Sequence, residues 1–160
     1  MINLKVKRLT DTAKLPTYAH EGDACFDIYS DGVTSRDSDY VTGKLRETHS
    51  TGLSFEIPTG YAMMIYSRSG MGFNHDVRLA NCVGVIDSGY RAEVSIKLTC
   101  DGIASRYGKG DRIAQAMLIP VPVVTFEEVT ELSESERGEG GFEIGEHTSE
   151  LQSPMFISYA

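Results

Sequence analysis

Short alternations of apolar and polar residues dominate this 160-residue chain. Residues 2–7 alternate strictly between the two kinds, and residues 53–57 do the same. A period of two places successive side chains on opposite faces of a strand, so both runs predict half-buried β-strands. Less regular apolar runs predict further strands at 61–66, 79–86, 92–98, 113–121 and 123–129.

Run 113–121 carries apolar residues on both faces, which is typical of a strand in the middle of a sheet. Gly, Pro, Asp and Ser punctuate the chain between the strands, as turns require. Residues 30–51 are polar and lack a firm period, which indicates a loop or an irregular hairpin. No long helical period is present, so the pattern predicts an all-β barrel or sandwich.

The composition changes near residue 131, where Glu, Ser and Gly replace most large apolar residues. We therefore predict a β domain at 1–130 and a flexible acidic arm at 131–160. The chain has 15 Lys and Arg against 23 Asp and Glu, a net charge of -8. Residues 113–160 hold nine Glu and a single basic residue, Arg137, so they carry the whole excess. This balance argues against binding to nucleic-acid backbones, which takes clustered Lys and Arg.

The location of the protein follows from what the chain lacks. No stretch approaches the ~20 apolar residues of a membrane-spanning helix, and the first residues do not form the apolar run of a signal peptide. Three cysteines without a Cys-x-x-Cys pair indicate neither a disulfide framework nor a structural zinc site. We expect a cytoplasmic protein without a membrane partner.

Residues 66–72 form the first cluster with chemical potential, directly after a predicted strand. The guanidinium of Arg68, the hydroxyl of Ser69 and the small Gly70 together suit a phosphate group. Alone, such a segment is more often a solvated loop.

Residues 81–91 form a second cluster, a strand that runs into a turn. Asp87 at the strand end is placed as a general base, and the Tyr90 ring offers a flat surface to a sugar or base. The plainer interpretation of Asp87 is a turn carboxylate.

Two more clusters follow. Arg112 and Gln115 lie in the apolar run 113–121 or at its start, so they need polar partners, and we expect Arg112 to pair with a structural carboxylate such as Asp111. Further on, Arg137 precedes a Gly-rich segment that ends at Phe142. That segment is either a disordered linker or a lid that closes over a bound anion.

Together with residues 22–28, which include Asp27, these ordered clusters resemble the five motifs of the trimeric dUTPases, enzymes that hydrolyse dUTP to dUMP and pyrophosphate. The resemblance spans about residues 15–142. It implies a jelly-roll-like β fold, a homotrimer whose active sites are each shared between subunits, and Mg²⁺ as the cofactor.

The resemblance also implies a role for each candidate residue. Asp87 would activate the water that attacks the α-phosphate, and Tyr90 would pack beneath the deoxyribose. Asn81 and the backbone of Val85 and Ile86 would recognise uracil. The other implied roles are phosphate binding by Arg68, Ser69, Gly70 and Gln115, terminal phosphate binding by Arg137, stacking on uracil by Phe142, and support of Mg²⁺ through its water shell by Asp27.

The chain departs from the family pattern after Phe142, where Glu-Ile-Gly at 143–145 replaces the usual Gly and small hydroxyl residues. Two alternatives to dUTP hydrolysis stay open at this point. One is a dCTP deaminase of the same fold, and the other is a non-catalytic, dUTP-binding regulatory protein.

Overall fold

Ten β-strands and one short helix form the framework of the chain in a computed structural model, which describes residues 2–38, 41, 43–100 and 107–138. In chain order they are β1 (Lys5–Arg8), β2 (Phe26–Tyr29), β3 (Gly32–Ser38), β4 (Leu45–Ser50), β5 (Leu53–Glu56), β6 (Tyr61–Tyr66), α1 (Ser69–His75), β7 (Val77–Leu79), β8 (Val83–Ile86), β9 (Ser95–Cys100) and β10 (Arg112–Pro120). All the strand pairs are antiparallel. The all-β, jelly-roll-like prediction is confirmed.

Strand β10 lies inside a four-stranded sheet with the order β2-β10-β6-β8, as the apolar residues on both of its faces predict. Ile113, Ala114 and Ala116 of this strand are fully buried. They pack in one core with residues of both four-stranded sheets, such as Met63 and Leu98.

A second sheet, in the order β3-β4-β9-β7, contains the hairpin that the polar run 30–51 left undecided. Residues Glu47 and His49 of β4 are 2% and 0% exposed, so polar side chains occupy inward positions where apolar ones are usual. This explains why the run shows no clear alternation. A third, two-stranded sheet joins β1 to β5.

The buried Glu47 and His49 side chains are held from both sides. Arg36 Nε donates to Glu47 Oε1 at 2.6 Å, and His49 Nδ1 lies 2.9 Å from Ser30 Oγ. Between them, Glu47 Oε2 and His49 Nε2 are 3.5 Å apart. Burial lowers the pKa of His49, because the imidazolium form would lose its water.

Two strand predictions are wrong. The run 79–86 is divided between β7 and β8, which belong to different sheets, and Cys82 makes the break with a left-handed φ of 63°. The run 123–129 forms no strand, and Val123 and Phe126 are 95% and 96% exposed. The prediction failed there because an apolar run forms a strand only where a neighbouring strand pairs with it.

The chain divides into two compact units, residues 1–124 and residues 125–160. The proposed functional residues up to Gln115 all belong to the first unit, whereas Arg137 belongs to the second. The arm boundary at residue 131 stays a prediction. Within the described part of the chain, no helix is long and apolar enough to cross a membrane.

Candidate functional site

Asp27 lies between two guanidinium groups. Arg68 Nε donates to its Oδ1 at 2.8 Å, and Arg112 Nη1 donates to its Oδ2 at 3.1 Å. Asp27 is only 8% exposed, and a buried carboxylate is tolerated when such charged donors satisfy it. We call Asp27, Arg68, Arg112 and Gln115 the arginine cluster.

Sheet register brings the arginine cluster together. Gln115 of β10 lies opposite Asp27 on one side and opposite Tyr66 on the other, which places the chain after β6 beside Asp27. Gln115 Nε2 donates to the carbonyl of Ser67 at 3.0 Å and so fixes the residue before Arg68.

Arg112 pairs with a carboxylate as expected, but the carboxylate is not that of Asp111. Asp111 Oδ2 instead accepts from the backbone N–H of Gly108 at 2.8 Å and closes the turn before β10. Arg112 reaches Asp27, which is 85 positions away in sequence and which only the β2–β10 pairing brings near. The apolar run therefore indicated that Arg112 needs a carboxylate partner, whereas the fold selects which carboxylate it is.

Ser69 and Gly70 open helix α1, which the sequence did not predict. Arg68 is the residue before the helix, and its carbonyl accepts from the N–H groups of Met71 and Gly72. A cavity of about 340 Å³ next to this segment is lined by Arg68, His75, Tyr107, Asp111 and Arg112. The charged groups of its wall are the two guanidinium groups and the carboxylate of Asp111.

Asp87 and Tyr90 lie on a turn that its own backbone holds. The N–H of Tyr90 donates to the carbonyl of Asp87 at 3.1 Å, and the Tyr90 hydroxyl donates to the carbonyl of Glu93 at 3.0 Å. Arg91 Nη1 donates to the carbonyls of Ser88 and Tyr90 at 2.6 and 3.0 Å. We call residues 87–93 the Asp87 turn; its Asp87 side chain is exposed.

A second cavity, of about 370 Å³, lies along β8. The predicted uracil-recognition residues Asn81, Val85 and Ile86 are all part of its wall. Gly84 lies between them opposite Ile65, and a Cβ at Gly84 would lie 3.2 Å from the Ile65 Cβ. A glycine at this position allows β8 to lie close to β6.

The structure does not bring the Asp87 turn and the arginine cluster together within one chain. In the β6–β8 pair, Tyr66 lies opposite Val83 and Met63 opposite Ile86. Arg68 therefore follows one end of this ladder and Asp87 follows the other, and the ladder is roughly 10 Å long at ~3.3 Å per residue. Arg137 belongs to the separate second unit, and Phe142 lies outside the described residues.

Within the described ranges, no group of three or more His, Cys, Asp or Glu side chains could hold a metal ion. The carboxylate at which a fit to a magnesium ion can be examined is that of Asp27. Each of its oxygens already accepts from a guanidinium, and the remaining lone pairs can still accept from a metal-bound water.

A sequence model of the dUTPase family matches residues 11–145 of the chain, which include both the arginine cluster and the Asp87 turn. The chain belongs to the dUTPase family. It is 40% identical over 151 residues to the deoxyuridine 5'-triphosphate nucleotidohydrolase of Clostridioides difficile, and the match covers 89% of this chain and 96% of that enzyme.

Solved structures of dUTPases have the same fold. A mutant dUTPase of Staphylococcus bacteriophage 80alpha, in complex with dUpNHpp, matches with a TM-score of 0.74 and 27% identity, over 89% of this chain and 97% of that one. A mutant dUTPase of phage phi11 of S. aureus, which coordinates a structural Mg(II) ion, matches with a TM-score of 0.70 and 22% identity, over 83% of this chain and all (100%) of that one.

Proposed function

We propose that this chain hydrolyses dUTP to dUMP and pyrophosphate. The observation that carries the proposal is the pair of half-sites on one dUTPase fold: a cationic cluster suited to phosphates and an exposed carboxylate beside a tyrosine and a β8 cavity. One half-site suits the triphosphate, and the other suits the nucleoside and the attacking water.

In the proposed reaction, Asp87 accepts a proton from the water that attacks the α-phosphorus. The bond between the α-phosphorus and the bridging oxygen of the β-phosphate breaks, and pyrophosphate leaves with that oxygen. Asp87 is exposed at the end of β8, so a water molecule can reach it. The hydrogen bond between the Tyr90 N–H and the Asp87 carbonyl supports its position.

Specificity for deoxyuridine comes from Tyr90 in the Asp87 turn and from the cavity along β8. The Tyr90 ring packs beneath the deoxyribose and leaves no room for a 2'-hydroxyl. Asn81 and the backbone of Val85 and Ile86 bind the uracil edge. Their place in the wall of the cavity along β8 supports this role. Backbone donors and acceptors suit the task, because they distinguish uracil from cytosine by hydrogen-bond polarity.

The phosphates bind to Arg68, Ser69, Gly70 and Gln115. Mg²⁺, when bound, would offset the charge of the triphosphate. Asp27 would support this ion through its water shell. In the arm, Arg137 binds the terminal phosphate, Phe142 stacks on uracil, and the closed arm excludes water from the site.

The active form is a homotrimer in which different subunits supply the half-sites. The placement of Arg68 and Asp87 after opposite ends of the β6–β8 ladder agrees with this, because each end can then face a different neighbouring subunit. We propose the cytoplasm as the place of action, which agrees with the exposed thiol of Cys82.

The decisive experiment offers the protein dUTP, dCTP, dTTP and UTP separately with Mg²⁺ and measures pyrophosphate and ammonia. Pyrophosphate from dUTP alone supports the proposal. Ammonia from dCTP would assign a deaminase instead, and tight dUTP binding without turnover would assign a binding protein.

A mixing experiment tests the shared site. Arg68→Ala and Asp87→Asn proteins, each nearly inactive, are unfolded together at equal amounts and refolded. When different subunits supply the two residues, about a quarter of the sites in random trimers regain both intact groups. No recovery above the separate variants would place both residues in one subunit's site.

A further inference from the structure

A β-bulge in β10 sets the direction of Arg112. The pairs Ala116–Phe26, Gln115–Asp27 and Ala114–Ile28 follow a regular antiparallel ladder, which would continue with residue 113 opposite Tyr29. Arg112 lies opposite Tyr29 instead, so Ile113 is one extra residue in the strand. An extra residue of this kind changes the face on which the following side chains lie.

The bulge places Arg112 on the face of Asp27. Asp27 and Tyr29 are two residues apart and share one face of β2, and the residue opposite Tyr29 lies on that face too. In a regular strand, positions 112 and 115 would lie on opposite faces, because three steps separate them. Ile113 is 0% exposed, so the bulge keeps this side chain in the core and still turns Arg112 toward Asp27.

The carboxylate of Asp27 is consequently fixed at both oxygens. Arg112 binds Oδ2, which stops rotation of the carboxylate, and Oδ1 then faces Arg68 Nε at 2.8 Å. Because Arg68 uses its Nε for this bond, its two terminal NH₂ groups are left for other acceptors. A long arginine side chain loses much rotamer freedom when it is held in this way before a ligand arrives.

We propose that Arg112 is a positioning residue for Arg68 and acts through Asp27, without a phosphate contact of its own. This rests on the proposed function, in which Arg68 binds the triphosphate. The bulge, Arg112, Asp27 and Arg68 form one chain of contacts, and each member restricts the next.

The first test does not depend on activity. Hydrogen exchange of the Arg68 Nε–H is followed by ¹⁵N NMR in the free, full-length protein, and the signal is assigned by its loss in Arg68→Lys. In Arg112→Met, whose side chain is similar in length and uncharged, we expect exchange about tenfold faster, because the Asp27 acceptor is no longer fixed. Unchanged exchange would overturn the proposal.

Lys109→Met is the matched control, since it removes a positive charge from the adjacent turn. Lys109 Nζ contacts Thr12 and Asp31 and makes no contact with Asp27. This control should leave the Arg68 signal unchanged. A similar acceleration in the control would assign the effect to lost charge and contradict positioning by Arg112.

The second test measures dUTP binding with Mg²⁺ in an Asp87→Asn background, which prevents turnover. Arg112→Met is expected to raise the Kd of dUTP about tenfold when Asp27 is intact. In an Asp27→Asn protein it should change the Kd little, because both residues act on the same side chain, that of Arg68. Equal weakening in both backgrounds would overturn the proposal, since Arg112 would then bind phosphate directly.

Melting temperatures of all variants exclude a folding defect as the cause. Arg112→Lys, which retains the charge, provides a second variant and should restore part of the affinity. A protein that does not bind dUTP at all would refute the proposed function, and the exchange measurement would then decide about Arg112 alone.

Discussion

The arginine cluster and the Asp87 turn reach their geometry by different routes. Side chains from β2, β10 and the segment after β6 meet in the arginine cluster, and side-chain ion pairs and an amide hydrogen bond hold them. The Asp87 turn is a run of seven consecutive residues, and most of its bonds end on its own backbone carbonyls. Sheet register positions the first, whereas local chain conformation positions the second.

The difference matches the two chemical tasks proposed for these regions. A triphosphate presents concentrated charge, so its site needs cations that are fixed before binding. A nucleoside presents a flat ring and a sugar, so its site needs shape and backbone donors. Variants in the two regions should therefore fail in different ways.

The largest expected effect is that of Asp87→Asn. Loss of the general base should lower kcat about 10³-fold and leave the Kd of dUTP within a few-fold of the wild-type value. Stopped-flow pyrophosphate release and calorimetric binding measure the two quantities. A comparable loss in Kd would show that Asp87 also holds the substrate, and the division between the two regions would be wrong.

Tyr90→Ala should relax the choice of sugar. Removal of the ring opens space for a 2'-hydroxyl, and we expect the preference for dUTP over UTP to fall by up to about 10²-fold. The measurement is the ratio of kcat/KM for the two nucleotides. An unchanged ratio would remove Tyr90 from sugar recognition.

Acid should weaken the framework behind the arginine cluster through His49. Ser30, its buried partner, exchanges backbone hydrogen bonds with Gly110 and Asp111 next to Arg112. Because the folded pKa of His49 lies below the unfolded value near 6.5, the unfolded state binds the proton more readily. The stability that neutral His49 contributes is complete above pH ~6.5. It is lost as the pH falls toward the folded pKa of His49, by at most about 1.4 kcal/mol per pH unit.

Urea unfolding between pH 7.5 and 5 measures this loss. His49→Gln removes the titrating group and should flatten the dependence, whereas His20→Gln, at an exposed loop position, should keep it. Identical pH profiles for His49→Gln and the wild-type protein would contradict the assignment.

The smallest expected effect is that of Tyr90→Phe. The ring stays, and only the hydroxyl bond to the Glu93 carbonyl is lost. At this partly exposed site we expect a loss of less than about 1 kcal/mol in unfolding free energy and a KM change of only a few-fold. A change in kcat as large as that of Asp87→Asn would mean that the hydroxyl takes part in the reaction.

The sequence predicted local features well. Alternation found β1 and β5, a less regular apolar run found β6, and the two-sided apolar run identified β10 as central. It missed α1, a seven-residue helix with two glycines and Met71 as its buried residue. It left the β3–β4 hairpin undecided between a loop and an irregular hairpin, since Glu47 and His49 occupy inward positions.

The same limit applies to the candidate site. The residues of the Asp87 turn were recognisable from the sequence because they are adjacent in it. The partner of Arg112 was not, because a bulge and a strand pairing between distant segments determine it. The roles of Arg137 and Phe142 stay predictions.

The placement of Arg68 and Asp87 at opposite ends of the β6–β8 ladder has a genetic consequence under the proposed trimer. A mutant chain co-expressed with the normal one would damage sites to which its neighbours contribute intact groups. A chain that lacks both groups would disable two sites of a mixed trimer, one through each missing group, although it is one chain in three. Such an allele would lower the activity of the normal chains, and the loss would increase with its share of the expressed protein.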